Sequence, residues 1–264
     1  MRQAFLILLL FLVPAVPAAA LEGLRPGGEA KVVSVVDGDT VVLDRAIDGA
    51  TQVRLTGIQA PKLALGRPNF KDWPLAAEAR KELEALTLGR PVRLFHGPQR
   101  MDRHGRLLAH LVGPDGLWLQ GEMLKRGLAR VYTFADNRDR AAEMYRLERE
   151  AREAKRGIWA LPYYAVRGTD PKALDRDRDT FQVIEGRIAD AALARGVLYL
   201  NFGANWRDDF TARVGKDALK LFRAAGLGPE DFRDRRVRVR GWLRERNGPM
   251  IDLSHPEQIE FLEK

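Results

Sequence analysis

The sequence predicts a mainly β protein with inserted α-helices, built from two small β domains. Three observations carry this prediction. Short β-branched segments separated by turn residues recur in both halves of the chain. Apolar residues at helical spacing interrupt them in a few places. Residues 167–180, a stretch of alternating charge with a glycine and a proline, divide the halves and are typical of a linker.

The amino-acid composition excludes several classes of protein function. The chain has 264 residues, of which 45% are hydrophobic and 30% charged, as in ordinary folded proteins of one or two domains. The absence of cysteine excludes a disulfide scaffold, a thiolate zinc site and a cysteine nucleophile. The four histidines lack paired metal-ligand spacing, which disfavours a zinc hydrolase. The net charge of +8 is compatible with an anionic partner such as nucleic acid. A GC-rich genome, which favours arginine, is the simpler explanation of the charge taken by itself.

Residues 1–20 have the pattern of a secretory signal peptide. Arg2 precedes a short apolar run, and three alanines end at Ala20. An uncleaved N-terminal anchor is the alternative. No later apolar stretch is long enough for a membrane span, so no stable span is expected after cleavage. The sequence therefore predicts export, with a mature protein that is periplasmic or secreted.

The remaining chain divides into residues 21–166, the linker 167–180 and residues 181–264. In the first part we predict strands at residues 30–36, 40–43, 51–55, 92–95 and 107–112, and helices at 74–86, 117–126 and 137–156. Gly127 and Gly157 are expected to end the last two helices. Five short strands with inserted helices favour a Greek-key barrel of the oligonucleotide/oligosaccharide-binding (OB) type.

The last part repeats this order. Strands are predicted at residues 181–190, 197–202, 210–214, 237–243 and 250–253, with a helix at 217–225. Asn247 and Gly248 form the expected turn of the last hairpin. This order is compatible with a second, smaller OB-like β-barrel, and other small barrels fit it too.

Five short motifs follow one another along residues 30–160. They are VVDGDTV at 35–41, VRLTGI at 53–58, DRHGRLLA at 102–109, MLKRGLA at 123–129 and REAKRGIW at 152–159. In this order and spacing they resemble the staphylococcal-type thermonuclease family. The resemblance implies an OB barrel and calcium-assisted hydrolysis of phosphodiester bonds in DNA or RNA.

The resemblance also implies roles for single residues. The family's metal-binding aspartate falls on Asp39, and its two phosphate-binding arginines fall on Arg54 and Arg106. Two positions depart from the family pattern. Gln59 stands where the family has a second metal aspartate, and Lys62 stands where it has the glutamate that serves the attacking water.

These departures change the expected chemistry. Gln59 can offer calcium one neutral oxygen, whereas the ammonium of Lys62 repels the ion and is not expected to be catalytic. No cofactor is expected, and Ca²⁺ only if the family mechanism survives. The preferred interpretation is an exported protein that binds nucleic acid or nucleotide phosphate at a degenerate nuclease site. The alternatives are an active phosphodiesterase and a cell-envelope interaction module whose protein partner is unknown.

Several other residues are candidates for contact with nucleic acid. Tyr132 and Phe134 lie where the family places aromatic residues near its substrate, and core packing is the alternative. In the second part, aromatic residues resemble, loosely, the stacking face of an OB-type module, and alternating arginines on one strand face imply solvent or an anion opposite. These candidates are Tyr199, Phe202, Trp206, Arg236, Arg238 and Arg240.

Overall fold

The computed structural model describes residue 21 and residues 23–262. The predicted signal peptide, residues 1–20, lies outside these residues, so export stays a prediction. Among the described residues, none of the helices has the length and apolar character that crossing a bilayer requires.

The first part of the chain forms a closed five-stranded barrel. Its elements are β1 (Arg25–Asp37), β2 (Thr40–Ile47), β3 (Ala50–Leu55), β4 (Ile58–Gln59), α1 (Ala76–Thr87), β5 (Pro91–His96), β6 (Leu107–Val112), α2 (Leu119–Lys125), β7 (Arg130–Val131) and α3 (Ala141–Glu153). The barrel order is β1-β2-β3-β6-β5, and β3 and β6 are its parallel pair. Buried β-branched and leucine side chains such as Val41, Val53 and Leu94 fill it.

The last part repeats this topology. Its elements are α4 (Pro171–Leu174), β8 (Phe181–Arg187), β9 (Asp190–Ala194), β10 (Val197–Asn201), β11 (Thr211–Val214), α5 (Lys216–Ala224), β12 (Arg236–Glu245), β13 (Pro249–Leu253) and β14 (Ile259–Phe261). Antiparallel pairs join β9, β10 and β11 in turn, β11 runs parallel to β13, and β12 pairs with both β13 and β8.

The two residues between β8 and β9 close this ring. The amide of Ile188 donates to the carbonyl of Arg235, just before β12, whereas the amide of Ala189 donates to the carbonyl of Asn201 on β10. The segment from β8 to β9 thus pairs with β12 at one end and with β10 at the other, as one bent strand. The prediction of a mainly β fold with an OB barrel followed by a smaller OB-like barrel is confirmed.

The predicted linker, residues 167–180, packs against the second barrel. Arg167 pairs with β8 through backbone bonds of 2.9 Å, and its side chain binds Asp177 at 2.8 Å. Asp170 caps α4, and Leu174 is buried in the core of the second barrel. Separate groups of buried apolar residues lie on either side of the segment. The division into domains at 167–180 stays a prediction.

The two barrels touch through the outer face of β12. Arg240 is 1% exposed and bonds both carboxylate oxygens of Glu148 on α3 at 3.0 Å. Nearby, the side chains of Thr133 and His255 are hydrogen-bonded at 2.8 Å. A buried charged pair is stable only with good geometry and further hydrogen bonds, and both terminal nitrogens of Arg240 are bonded. These contacts fix the position of β12 on the first barrel.

Candidate phosphate-binding site

A cleft of about 1060 Å³ lies at the mouth of the first barrel. It brings together six of the predicted residues, which come from β3, β4, the loop before α1, the loop before β6 and the segment after β7. They are Arg54, Gln59, Lys62, Arg106, Tyr132 and Phe134. Asp39 is fully buried and lies directly behind them.

The turn between β1 and β2 places two carboxylates behind the cleft. Gly38 occupies its centre because a β-carbon there would come within 2.7 Å of the side chains of Ala60 and Ala79. The close approach sets Asp37 and Asp39 side by side, and the amide of Asp39 donates to the Asp37 carboxylate at 3.2 Å. Burial, followed by the charge of Asp39, raises the pKa of Asp37.

Lys62 neutralises this pair of carboxylates. Its ammonium nitrogen lies 2.7 Å from both Asp39 oxygens and 3.0 Å from Asp37 Oδ2. The backbone amide of Ala60 adds a bond of 2.7 Å to Asp39. Burial alone would raise the pKa of Asp39, but the charges of Arg54 and Lys62 outweigh it and hold the pKa well below its usual range. The ammonium therefore supplies the positive charge that a metal ion would otherwise bring.

Arg54 is turned inward. Its two terminal nitrogens donate to the carbonyls of Leu55 and Ile58 at 2.6 Å, and Nη2 lies 3.2 Å from Asp39. Only 12% of its side chain is exposed. These contacts fix the guanidinium beside Asp39, so Arg54 contributes mainly charge to the cleft.

Gln59 is held by a different partner. Its side-chain oxygen accepts bonds from Arg130 Nε and Nη2 at 3.0 and 2.7 Å. The remaining terminal nitrogen of Arg130 donates to the carbonyl of Phe181 in the second barrel at 3.1 Å. Burial lowers the pKa of Arg130 to about 10. The sequence suggested this amide oxygen as a neutral metal ligand. It instead accepts hydrogen bonds from Arg130, which also contacts the second barrel.

The residues present do not fit a calcium ion. Calcium takes six to eight oxygen ligands, usually with several carboxylates. Here the oxygens of Asp39 already accept bonds from Lys62 and Ala60, and that of Gln59 from Arg130. Among the residues that the structure describes, no three acidic or histidine side chains form a group able to hold a metal.

The outer part of the cleft is positively charged. Arg106 binds Asp102 at 2.7 Å through Nε and Nη2, and 30% of its side chain is exposed. Arg67 and Arg103 are exposed at the rim. Five cations and three carboxylates line the cleft in all: Arg54, Lys62, Arg67, Arg103, Arg106, Asp37, Asp102 and Asp136. An anion is therefore favoured at its opening.

An aromatic rim also lines the cleft. The rings of Tyr132 and Phe134 meet edge to face with centroids 5.0 Å apart, and Phe134 is 53% exposed. Trp242 of β12 joins them, since its Nε1 donates to the Tyr132 hydroxyl at 3.1 Å. Sequence reasoning missed Trp242. The available signal was its spacing of two residues from Arg240 on a strand, which places both on one face.

The aromatic candidates of the second barrel lie outside this cleft. Phe202 packs against the core, with its ring centroid 5.0 Å from that of Phe210, and Tyr199 is half-buried on β10. Trp206 is 54% exposed in the loop before β11, with the Arg207 guanidinium 4.5 Å from its ring centre. Contact of these residues with nucleic acid stays a prediction.

The arginines of β12 share one face, but the anions opposite them belong to the protein. Arg236 and Arg238 each bind Glu185 at 2.6 Å. Arg240 binds Glu148 and also Glu260, the latter at 2.5 Å, and is 1% exposed. The charge of Arg240 is therefore satisfied inside the protein, which does not support its expected place on a nucleic-acid surface. Contact of Arg236 and Arg238 with nucleic acid stays a prediction.

Comparison with known proteins identifies the family to which the first barrel is similar. The family model described as "Staphylococcal nuclease homologue" matches residues 52–161. A thermonuclease of Staphylococcus hyicus is 32% identical over 136 residues, which cover 49% of this chain and 75% of the relative. An uncharacterized endonuclease of Escherichia coli is 32% identical over 131 residues, or 49% of this chain and 76% of the relative. Endonuclease YncB of Bacillus subtilis is 35% identical over 138 residues, or 48% and 64%. The chain therefore belongs to the staphylococcal nuclease homologue family.

Proposed function

We propose that this chain binds the phosphate backbone of nucleic acid, or a nucleotide phosphate, and does not cut it by the calcium mechanism of its family. The relatives are named thermonuclease and endonuclease, which supports a nuclease-like role in binding or hydrolysing nucleic acid. The observation that favours binding is the ammonium of Lys62 at 2.7 Å from both oxygens of Asp39.

The chemistry of Lys62 explains the preference. Hydrolysis needs a base or a metal-bound hydroxide to activate the attacking water. A protonated ammonium has no lone pair, and its charge opposes a cation at the same place. A phosphate, by contrast, is attracted to the outer cations Arg106, Arg103 and Arg67. The same substitution that removes the base therefore leaves a site for the anion.

Binding is tested with the purified chain and a fluorescein-labelled oligonucleotide in an anisotropy titration. We expect an affinity that falls steeply as salt rises, because counterions are released when cations meet phosphates. Arg106→Gln should weaken binding and flatten the salt slope by about one ion. Competition by a nucleoside monophosphate separates a nucleotide ligand from a polymer. Salt-independent binding, or none at low salt, would contradict the proposal and favour a protein partner.

Cleavage is tested in the same buffers with calcium and with chelator. We expect no calcium-dependent cleavage by the wild type, and a gain of cleavage in Gln59→Asp combined with Lys62→Glu. Calorimetric measurement of calcium binding to the double variant shows whether a metal site has formed, even if turnover is slow. Efficient calcium-dependent cleavage by the wild type would instead establish the active phosphodiesterase.

A further inference from the structure

Trp242 owes its position to a buried contact. It lies on β12 two residues after Arg240 and on the same face of the strand. Arg240 is anchored in the first barrel by Glu148 at 3.0 Å and by the carbonyl of Val131 at 3.2 Å. Since a strand advances about 6.6–6.8 Å over two residues, this anchor determines where the indole stands. The tryptophan is therefore held at the cleft by the junction of the two barrels.

The indole extends an aromatic surface that the first barrel begins. Trp242 is 40% exposed and Phe134 is 53% exposed, and Tyr132 lies between them. Tyr132 is supported from behind by Phe181, with ring centroids 4.9 Å apart. Neighbouring exposed aromatic rings on a supported base are a feature of ligand-binding surfaces. Trp242 also lies outside residues 52–161, the part that the family model matches.

The cleft holds this surface and several cations together. Trp242 and Phe134 line the same cavity as Arg106, Arg103 and Lys62. A ligand that carries a flat apolar ring next to a phosphate matches both the aromatic rings and the cations. An unpaired nucleotide has this chemistry, whereas a duplex keeps its base faces inside the stack.

We infer that Trp242 stacks on an unpaired nucleobase whose phosphate lies at the cations of the cleft, so that single-stranded polynucleotide is the ligand class. This inference rests on the proposed function and specifies its ligand. It also gives the second barrel a part in the binding site, because the stacking residue comes from β12.

The experiment compares two probes on the full chain. One is a fluorescein-labelled oligothymidine of about 12 nucleotides, and the other is an abasic oligonucleotide with the same phosphates. We expect the wild type to prefer oligothymidine, and Trp242→Ala to lose roughly 5- to 150-fold in affinity for it. Affinity for the abasic probe should not change. Oligouridine in place of oligothymidine shows which sugar is preferred, and a duplex of equal length should bind more weakly than the single strand.

Two further variants sharpen the outcome. Trp242→Phe keeps an aromatic face and should retain most of the affinity, whereas a loss equal to that of Trp242→Ala would overturn stacking. Trp206→Ala removes the other exposed tryptophan of the same barrel, which lies outside the cleft. If Trp206→Ala lowers the affinity and Trp242→Ala does not, the inference is wrong. Circular dichroism checks that each variant is folded.

The probes also separate two kinds of failure. If the wild type binds both equally and Trp242→Ala changes neither, stacking is refuted while phosphate binding stands. If the wild type binds neither probe at low salt, the proposed function itself fails.

Discussion

At the scale of single residues, the site is controlled by where one positive charge stands. Lys62 and Arg54 face Asp37 and Asp39, so two cations balance two carboxylates behind the cleft. In a nuclease of this family the balance is made by a metal ion that can exchange. Here it is made by side chains of the protein itself.

Lys62→Met should destabilise the protein at neutral pH by about 2–3 kcal/mol, because it leaves a buried carboxylate pair with Arg54 alone. The effect should shrink below about pH 4. A carboxylate whose pKa is depressed in the folded state, such as Asp39, contributes stability above its unfolded pKa and loses it as pH falls. In Lys62→Met the pKa of Asp39 should be depressed less, so this variant should lose less stability as pH falls. Urea unfolding at about pH 7 and pH 3.5 measures both effects.

Lys71→Met is the matched control, since Lys71 is an exposed lysine of the same loop. It should change the free energy of unfolding by less than about 0.5 kcal/mol at either pH. A Lys62 variant as stable as this control at neutral pH would show that the carboxylate pair does not need the ammonium.

At the scale of elements, two glycines bring the segments after α2 and α3 into contact. Gly127 ends α2, as the sequence predicted. The expectation that Gly157 ends α3 is wrong, because that helix ends at Glu153 and the left-handed residue after it is Lys155, with φ of 49°. Gly127 and Gly157 both have positive φ, 68° and 52°. They also face each other, because a β-carbon on Gly127 would lie 2.2 Å from the carbonyl oxygen of Arg156. The amide of Ile158 donates to the carbonyl of Gly127 at 2.8 Å. The two motifs are thus one joint.

Gly127→Ala should be more destabilising than its conformation alone requires. The positive φ costs about 1–2 kcal/mol, and crowding against a backbone carbonyl adds about 1–3 kcal/mol. Gly116→Ala is the comparison, because Gly116 has φ of 77° and nothing within 4 Å of an added β-carbon. Thermal and chemical unfolding of the two variants measure the difference. Equal losses would mean that the joint can open without cost.

The sequence predicted most of the helices and strands. It did not predict the short strands that are defined only by hydrogen bonds to a distant strand. Residues 107–112 form β6 as predicted, since a run of apolar residues bounded by turns is a local signal. The two-residue strands β4 and β7 were missed, because so short a ladder has no periodicity. Likewise, residue types alone identified Lys62 as a departure, but the bond of Gln59 to Arg130, 71 residues away, depends on tertiary packing.

At the scale of the whole molecule, the ion pair of Arg240 and Glu148 joins the barrels. The sequence predicted solvent or an anion opposite the arginines of β12, but it could not show that an anion comes from α3 of the other barrel. Burial alone would lower the pKa of Arg240, but Glu148 outweighs it and the pKa is raised. Burial alone would also raise the pKa of Glu148, but the charge of Arg240 outweighs it and lowers that pKa. Both groups are therefore charged at neutral pH.

Arg240→Met should destabilise the protein by about 3–5 kcal/mol, because Glu148 is left buried with a smaller set of partners. Arg236→Met is the matched control on the same strand and face. The Arg236 side chain is 56% exposed, so its ion pair should contribute less than about 1 kcal/mol. Chemical denaturation compares the two. Equal effects would show that the junction of the barrels does not depend on the buried pair.

The ion pair between the barrels also joins two residues that are synthesised at different times. Arg240 follows Glu148 by 92 residues, so α3 leaves the ribosome well before its buried partner exists. Until then Glu148 has Arg152 and the amide of Val131 as partners. A nascent chain that has reached residue 180 has all the cations of the cleft and lacks the indole at its rim. Synthesis therefore supplies the cations, Tyr132 and Phe134 first and adds Trp242 last.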